Sequence, residues 1–354
     1  MESIVVVGGR GHLGVRTVAA LRRAGIEAAV AGRRGPVVVD SSRPDTFAAL
    51  DPFDVVVDVT DTVTSPPDAL VAWCLARGKA VLEATSDAPC VERLAAAHRA
   101  TRGRLVLGGG IFTGLSNLLA RDVSDEVGGA QALALGISSS PFSGAGTGTV
   151  ALMVDALNVP AVRYAGGRRT EIAGVTRGPA LDFAGTTRPT VRMSLAEPSM
   201  LHASTGAGDV DVYFAPRPAA LVPAFTALPA SLVRAGWYRA FLRGYFSLLR
   251  RALLRGRATA VTLVATAHRD GAVASRWLSA SDGMAAGGAA LAAMVEALQA
   301  DRSWHGLRYV DDVCRLEPVL ARANALTARP LLTLGAVATS DVGGPVRASA
   351  ASRA

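Results

Sequence analysis

Residues Ile4–Val7 form a short, wholly apolar β-branched run, the pattern of a central parallel strand buried on both faces. The run enters Gly8-Gly9-Arg10-Gly11-His12-Leu13-Gly14. Val15, Val18, Ala19 and Leu21 then recur at helical spacing until Gly25 closes the helix. The same alternation continues down the chain. Strands are predicted over 27–31, 37–40, 54–59, 80–84 and 104–107, with helices over 67–77 and 90–102. Such strand–helix repeats specify a doubly wound parallel sheet, whose ligands lie at the carboxyl ends of the strands.

The pattern changes after residue 115. From 130 to about 215 the chain reads as paired strands with Gly-, Thr- and Ser-rich turns, including a strand over 133–138. The glycine run 144–149 leads into a helix over 150–157. It can present helix amides to an anion, or serve only as a flexible turn and cap. A helix over 232–255 carries Trp237, Phe241, Tyr245, Leu248 and Leu249 along one side and Arg239, Arg243 and Arg250 opposite. An ordinary core-facing helix is the first reading of it. A lid, a dimer contact and a membrane-surface helix are the alternatives. A strand over 258–266 and a small-residue helix over 283–300 follow. The expected fold class is α/β: a Rossmann doubly wound parallel sheet plus an α+β substrate or dimerisation domain with a mixed sheet. The expected boundaries are 1–115 and 116–335, with late elements free to return to the first domain, and a flexible tail over 338–354.

Composition narrows the class. The 354 residues suit two domains, and 50% apolar against 19% charged residues leaves ample core. Cys74, Cys90 and Cys314 form no CxxC pair, which speaks against a disulfide scaffold or a zinc knuckle and for reduced thiols in a cytoplasmic protein. No metal cluster is expected. No basic-then-apolar leader follows Met1, and the uncharged stretch 218–233 is too short to span a bilayer and contains Pro223 and Pro229. The net charge of +8 raises nucleic acid as a partner, but Lys79 is the one lysine and the arginines are scattered, so none is expected.

The candidate chemistry sits at the strand ends. Gly9, Gly11 and Gly14 complete G-x-G-x-x-G in its strand–turn–helix context, where a dinucleotide pyrophosphate meets the free amides of the helix. Arg10, His12 and Leu13 lie within that turn. After the second strand stands Gly32-Arg33-Arg34, where an NAD-selective site carries an acid. The two guanidiniums favour the 2′-phosphate of NADP(H) over NAD(H). Thr60, Asp61, Thr85 and Ser86 end the fourth and fifth strands and are expected cofactor neighbours, or else caps and turn residues. Thr113, Ser116, Asn117 and Ser139 are candidate substrate-pocket residues, and Tyr213 and His202 are candidate proton donors. HExxH, G-x-S-x-G and P-loop patterns are absent from the sequence.

The opening GGRGHLG, the AGRR after the second strand and the segment from Gly109 through Gly114-Leu115-Ser116-Asn117-Leu118-Leu119-Ala120-Arg121 resemble the saccharopine dehydrogenase / saccharopine reductase-like superfamily of NAD(P)-dependent oxidoreductases. The resemblance is good through about residue 160 and looser beyond, to His268-Arg269-Asp270-Gly271 and the helix over 283–300. It implies a two-domain, homodimeric oxidoreductase. Family members often carry Asp-Pro before the glycine of the middle segment, where this chain has Phe112-Thr113, so a carboxylate for a substrate amine is missing. The expectation is an NADPH-dependent reductase transferring hydride to a C=N, C=O or conjugated C=C bond of a small, fairly apolar metabolite, with membrane-surface contact a lesser alternative. A redox-silent cyclase, isomerase or binding protein on the same scaffold is the competing class.

Overall fold

The computed structural model describes residues 2–140, 147–227, 236–249 and 260–337. The first part of the chain builds β1 (Ile4–Val7), α1 (His12–Arg23), β2 (Ala28–Gly32), β3 (Val37–Val38), β4 (Val55–Asp58), α2 (Asp68–Ala76), β5 (Ala80–Glu83), α3 (Ala88–Ala97) and β6 (Arg104–Leu107). Every residue of β1, β4, β5 and β6 is buried, which explains their apolar runs; Asp58, Glu83 and Arg104 are the charged residues at the ends of β4, β5 and β6. Two elements fall short of the sequence pattern. Helix α3 ends at Ala97 rather than 102, because the chain must turn so that Gly103 can lie on the Lys79 carbonyl, where a Cβ would stand 2.5 Å away. Strand β3 stops at Val38, since Asp40 turns the chain by accepting from the Ser42 amide and hydroxyl.

A π-helical turn at Ile111–Leu115 leads into α4 (Ser116–Glu126), β7 (Ala132–Ser139), α5 (Thr147–Ala156), β8 (Ala161–Ala165) and β9 (Arg168–Ile172). Short strands β10 (Thr176–Arg177), β11 (Leu181–Asp182), β12 (Thr187–Arg188) and β13 (Val191–Arg192) precede α6 (Glu197–Thr205) and β14 (Asp209–Pro216). Then come α7 (Leu221–Thr226), α8 (Gly236–Leu249), β15 (Val261–Arg269), β16 (Ala272–Ala280), α9 (Gly283–Ala300), β17 (Gly306–Tyr309), α10 (Val310–Val313), α11 (Leu316–Ala325) and β18 (Leu332–Ala336). Helix α6 falls in the stretch after residue 157, which was expected to be paired strands and turns. Pro198 in its first turn and Gly206, left-handed at its end, are ordinary helix punctuation. The expected tail 338–354 and the first half of the glycine run, 144–146, lie outside the described residues; the helix after it begins at Thr147.

The strands form two main sheets. The first is fully parallel in the order β17-β6-β5-β4-β1-β2-β3, with the strand from the far end of the chain as its seventh member. Strand order reverses between β1 and β4, the crevice where ligands of such sheets bind. The second sheet is mixed, with central order β13-β14-β7-β15-β16-β18; β14 and β7 run parallel and β7 and β15 antiparallel. The architecture is the expected one: a Rossmann-type layer and a mixed-sheet α+β layer.

Helix α9 ties the layers together. Its N-terminus is capped by Asp282, which accepts from the amides of Met284 and Ala285. Its Gly/Ala-rich surface lets α1 approach closely, so that a Cβ on Gly288 would meet Arg16 Cβ at 2.7 Å and the Thr17 amide at 2.9 Å. Gly288→Ala is therefore expected to lower stability by about 1–3 kcal/mol through overpacking, although alanine is the better helix former. A Cβ on Gly287 has no neighbour nearer than 3.5 Å, so Gly287→Ala serves as the control and is expected to be neutral or stabilising. Urea denaturation of the two variants checks this; equal midpoints would contradict the close crossing.

Candidate functional site

The glycine turn follows from steric limits at particular atoms. Gly8, at φ +79, takes the left-handed conformation that starts the turn. A Cβ on Gly14 would lie 2.2 Å from the Gly8 carbonyl oxygen, and one on Gly9 2.9 Å from that of Val6. The first turn of α1 thus rests directly on the end of β1. Gly11 caps α1 without a side-chain bond, and the first turn holds no acidic residue, so the amides of His12, Leu13 and Gly14 lack intrahelical acceptors and a neutralising charge. They stand at the edge of a cleft of about 1270 Å³ at the switch point.

One end of the cleft is cationic. Arg33 and Arg34 follow β2 at its rim, and the Arg10 guanidinium extends across Gly35, where a Cβ would meet its Cζ at 3.0 Å. Asp40 also lines this end. Its hydrogen bonds from Ser42, and more weakly the Arg33 charge, hold its carboxyl below the ordinary range. Further along stand the residues after β4 and β5. Thr60 has a buried hydroxyl without a hydrogen-bond partner. Asp61 accepts from the Val63 amide and the Thr64 hydroxyl, the Thr85 hydroxyl meets that of Thr62 at 3.1 Å, and Ser86 completes this wall. All the expected cofactor neighbours therefore gather at one cleft, except Gly9 and Gly14, which support the turn from beneath. Beneath the same strand ends Asp58 and Glu83 are buried and face each other in register on β4 and β5. Burial pushes both carboxyls up, Glu83 well above the ordinary range.

The other end is mostly apolar. Ile137, Ser139, Phe214 and Val261 come from one face of the mixed sheet, as the pairings Phe214–Ile137 and Val261–Ser139 require. Phe112, Met153 and Leu195 add to this wall. Within it sits Glu197, fully buried at the start of α6. Its Oε1 accepts from the Thr113 amide (3.1 Å) and the Ser116 hydroxyl (3.2 Å), while Oε2 has no protein partner. Burial raises its pKa against the lowering effect of those hydrogen bonds. Glu197 was missed in the sequence. The available signal was an isolated acid before Pro198, set among Leu195, Ala196, Met200 and Leu201.

Three of the four expected pocket residues, Thr113, Ser116 and Asn117, lie outside the cleft wall, and two of them, Thr113 and Ser116, support Glu197. Thr113 is fully buried with φ +55, a left-handed conformation costing a threonine on the order of 1 kcal/mol. It also donates its hydroxyl to the Thr85 carbonyl at 2.9 Å. Ser116 and Asn117 are buried in the first turn of α4; Ser139 does line the cleft.

Both expected proton donors point elsewhere. Tyr213 neighbours Phe214 on β14, so alternation turns it to the opposite face. There Arg192 donates to its hydroxyl at 2.9 Å and covers its ring. Burial pushes this phenol up. The His202 ring stacks on Tyr164 at 3.9 Å and its Nδ1 lies 2.8 Å from the Ala207 carbonyl oxygen, on α6 but away from the cleft. Lys79 donates to the carbonyls of Asp51 and Phe53 and serves the loop there.

No family model matches the chain, and none of the curated proteins matches it. Among solved structures, an engineered D-amino acid dehydrogenase bound to NADP+ is similar at 12% identity and TM-score 0.47, over 93% of this chain and 97% of that one. DAP dehydrogenase of C. glutamicum in complex with DAP is similar at 13% identity and TM-score 0.47, over 93% and 97%. The WlbA dehydrogenase of Thermus thermophilus, in complex with NAD and UDP-GlcNAcA, is similar at 12% identity and TM-score 0.38, over 92% and 95%. At these identities and scores the likeness carries nothing about chemistry.

The Glu197 proton links the site to stability. Above pH 4.5 the unfolded chain has released it, whereas the folded chain still holds it. Its contribution is therefore complete below pH 4.5 and is lost as pH rises through the higher folded value. Glu197→Gln cannot ionise, so relative to the parent protein it is expected to become more stable as pH rises. Thermal unfolding of both proteins from pH 4 to 8 checks this; a difference independent of pH would contradict it.

Proposed function

We propose that the protein is an NADPH-dependent oxidoreductase that reduces a C=N, C=O or conjugated C=C bond of a small, fairly apolar molecule. The observation that carries this reading is one continuous cleft with a phosphate-ready glycine turn and three arginines at one end, and a buried, half-unpartnered carboxyl among apolar side chains at the other. Oxidoreductase chemistry on a dinucleotide-binding scaffold accords with both the sheet and the resemblance to the saccharopine dehydrogenase-like superfamily.

The residues present fit the dinucleotide. The Gly11–Gly14 turn would hold the pyrophosphate, and Arg10, Arg33 and Arg34 the 2′-phosphate, with the unpartnered Thr60 hydroxyl and Ser86 along its path. When bound, the cofactor supplies the hydride; the chain supplies position, dryness and the proton. Glu197 Oε2 is the atom from which a proton can reach the substrate heteroatom or carbon, while Thr113 and Ser116 fix the carboxyl through Oε1. Ile137, Phe214, Phe112 and Val261 exclude water and favour apolar substrate surface.

Substrate charge is restricted by what the apolar end lacks. Among the described residues there, Arg243 is the cation, and its Nη2 already meets both oxygens of Asp155 at 2.6 and 2.7 Å. A substrate carboxylate would have to break that pair. This supports a neutral substrate over a dicarboxylic amino acid.

Fluorescence titration with NADPH and NADH tests the cofactor half. NADPH is expected to bind more tightly, and Arg33→Ala to lose on the order of tenfold or more for NADPH with little change for NADH. Equal loss for both, or no binding of either, would overturn the assignment. Glu197→Gln tests the proton half: turnover on ketone, imine or enoyl panels is expected to fall on the order of a hundredfold, with NADPH affinity unchanged. Tight NADPH binding with no turnover on any panel would favour a redox-silent isomerase or binding protein.

A further inference from the structure

Helix α8 presents its largest apolar side chains outward. Trp237, Phe241, Tyr245 and Leu248 follow at spacings of four, four and three along one face, and are 68%, 58%, 50% and 66% exposed. This is a correction to the core-facing reading of the segment. The Phe241 ring lies near-parallel to those of Tyr238 and Tyr245, with centroids 6.2 and 6.1 Å apart. The opposite side is committed to the protein: Leu242 is buried, and Arg243 pairs with Asp155 of α5 at the cleft. The side chains of Arg239, Leu249 and Arg250 lie outside the described residues.

The sequence around the stripe adds a second, independent observation. Between Asp211 and Asp270 the chain has nine arginines and no acidic residue, although it holds 29 Asp and Glu in all; of the nine, Arg243 is paired with Asp155 and Arg269 with Asp270. Aromatic rings on an exposed helix face partition to the headgroup–acyl boundary, and a one-signed basic segment is drawn to anionic lipid. Contact with a second copy through the same face would bring two acid-free basic segments together, so self-association is disfavoured by charge.

We propose that α8 seats the protein on an anionic lipid surface, with Trp237, Phe241 and Leu248 entering the headgroup–acyl boundary. Because Arg243 on the other side of the helix pairs with α5 and lines the cleft, docking would place the cleft wall next to the bilayer. The proposal stands whether or not the cleft proves to hold NADPH.

Co-sedimentation of the full chain with extruded vesicles tests it, comparing phosphatidylcholine alone with phosphatidylcholine containing about one third phosphatidylglycerol. Binding to the anionic vesicles is expected, falling with added salt, with a blue shift in tryptophan emission that Trp237→Phe removes. The double variant Phe241→Asp, Leu248→Asp is expected to bind about tenfold more weakly or less, with its unfolding midpoint and NADPH titration unchanged because neither side chain lines the cleft. Should that variant lose its fold, Phe241→Ser and Leu248→Ser singly provide the same comparison. Equal partition to both vesicle types, equal binding by parent and variants, or no vesicle binding alongside a variant-sensitive dimer in sedimentation velocity would each overturn the proposal.

Discussion

The fold-back between β6 and α4 is the constraint on which the molecule's working geometry depends. A Cβ on Gly108 would lie 2.3 Å from the Thr113 carbonyl oxygen, and one on Gly114 would lie 2.7 Å from the carbonyl carbon of Gly109. Only glycine permits the chain to close on itself so tightly where it leaves the parallel sheet. The closure forces Thr113 into a left-handed conformation, brings Phe112 to the cleft and aims the Thr113 amide at Glu197. It also launches α4, which packs on β7, β15 and β16 of the mixed sheet. One tight loop thus joins the two layers and orients the Glu197 carboxyl in the apolar part of the cleft.

The legibility of the sequence follows the range of the forces involved. Strands β1, β4, β5 and β6 and helix α9 were readable because their patterns are local: three or four apolar residues in a row, or small residues in an unbroken helical window. The glycine turn was readable for the same reason, since its steric demands fall within seven residues. Glu197 was not, because its importance comes from burial and from two partners more than eighty positions away. Tyr213 and His202 misled for the converse reason. They are chemically capable side chains, but strand alternation and a helix hidden among expected strands turned both away from the cleft. The stripe on α8 shows a third limit: periodicity identifies an apolar face without saying whether it turns inward.

The cleft is divided by charge as well as by shape. Its arginine end is exposed and its carboxyl end is buried among apolar side chains, so a long ligand with an anionic head and an uncharged reactive end would match both halves without desolvating a phosphate. The Asp155–Arg243 pair fits this division, since it brings a cation to the apolar wall already neutralised. It also fastens α8 to α5, so the helix carrying the outward aromatic face is held by the same contact that completes the cleft.

The return of β17 to the parallel sheet has a consequence for how the protein is made. Strand β6 pairs with residues that follow it by about two hundred positions, and Arg104 in β6 donates to the carbonyl of Leu298 and to Glu2. During synthesis the first six strands therefore emerge with an unpaired β6 edge, and Arg104 has Glu2 but not the Leu298 carbonyl until α9 and β17 follow. The two layers cannot mature one after the other, like beads on a string. The parallel sheet gains β17 only after most of the mixed sheet has been made, and β18 then completes the mixed sheet, so a ribosome that stops within the mixed sheet releases an incomplete version of both.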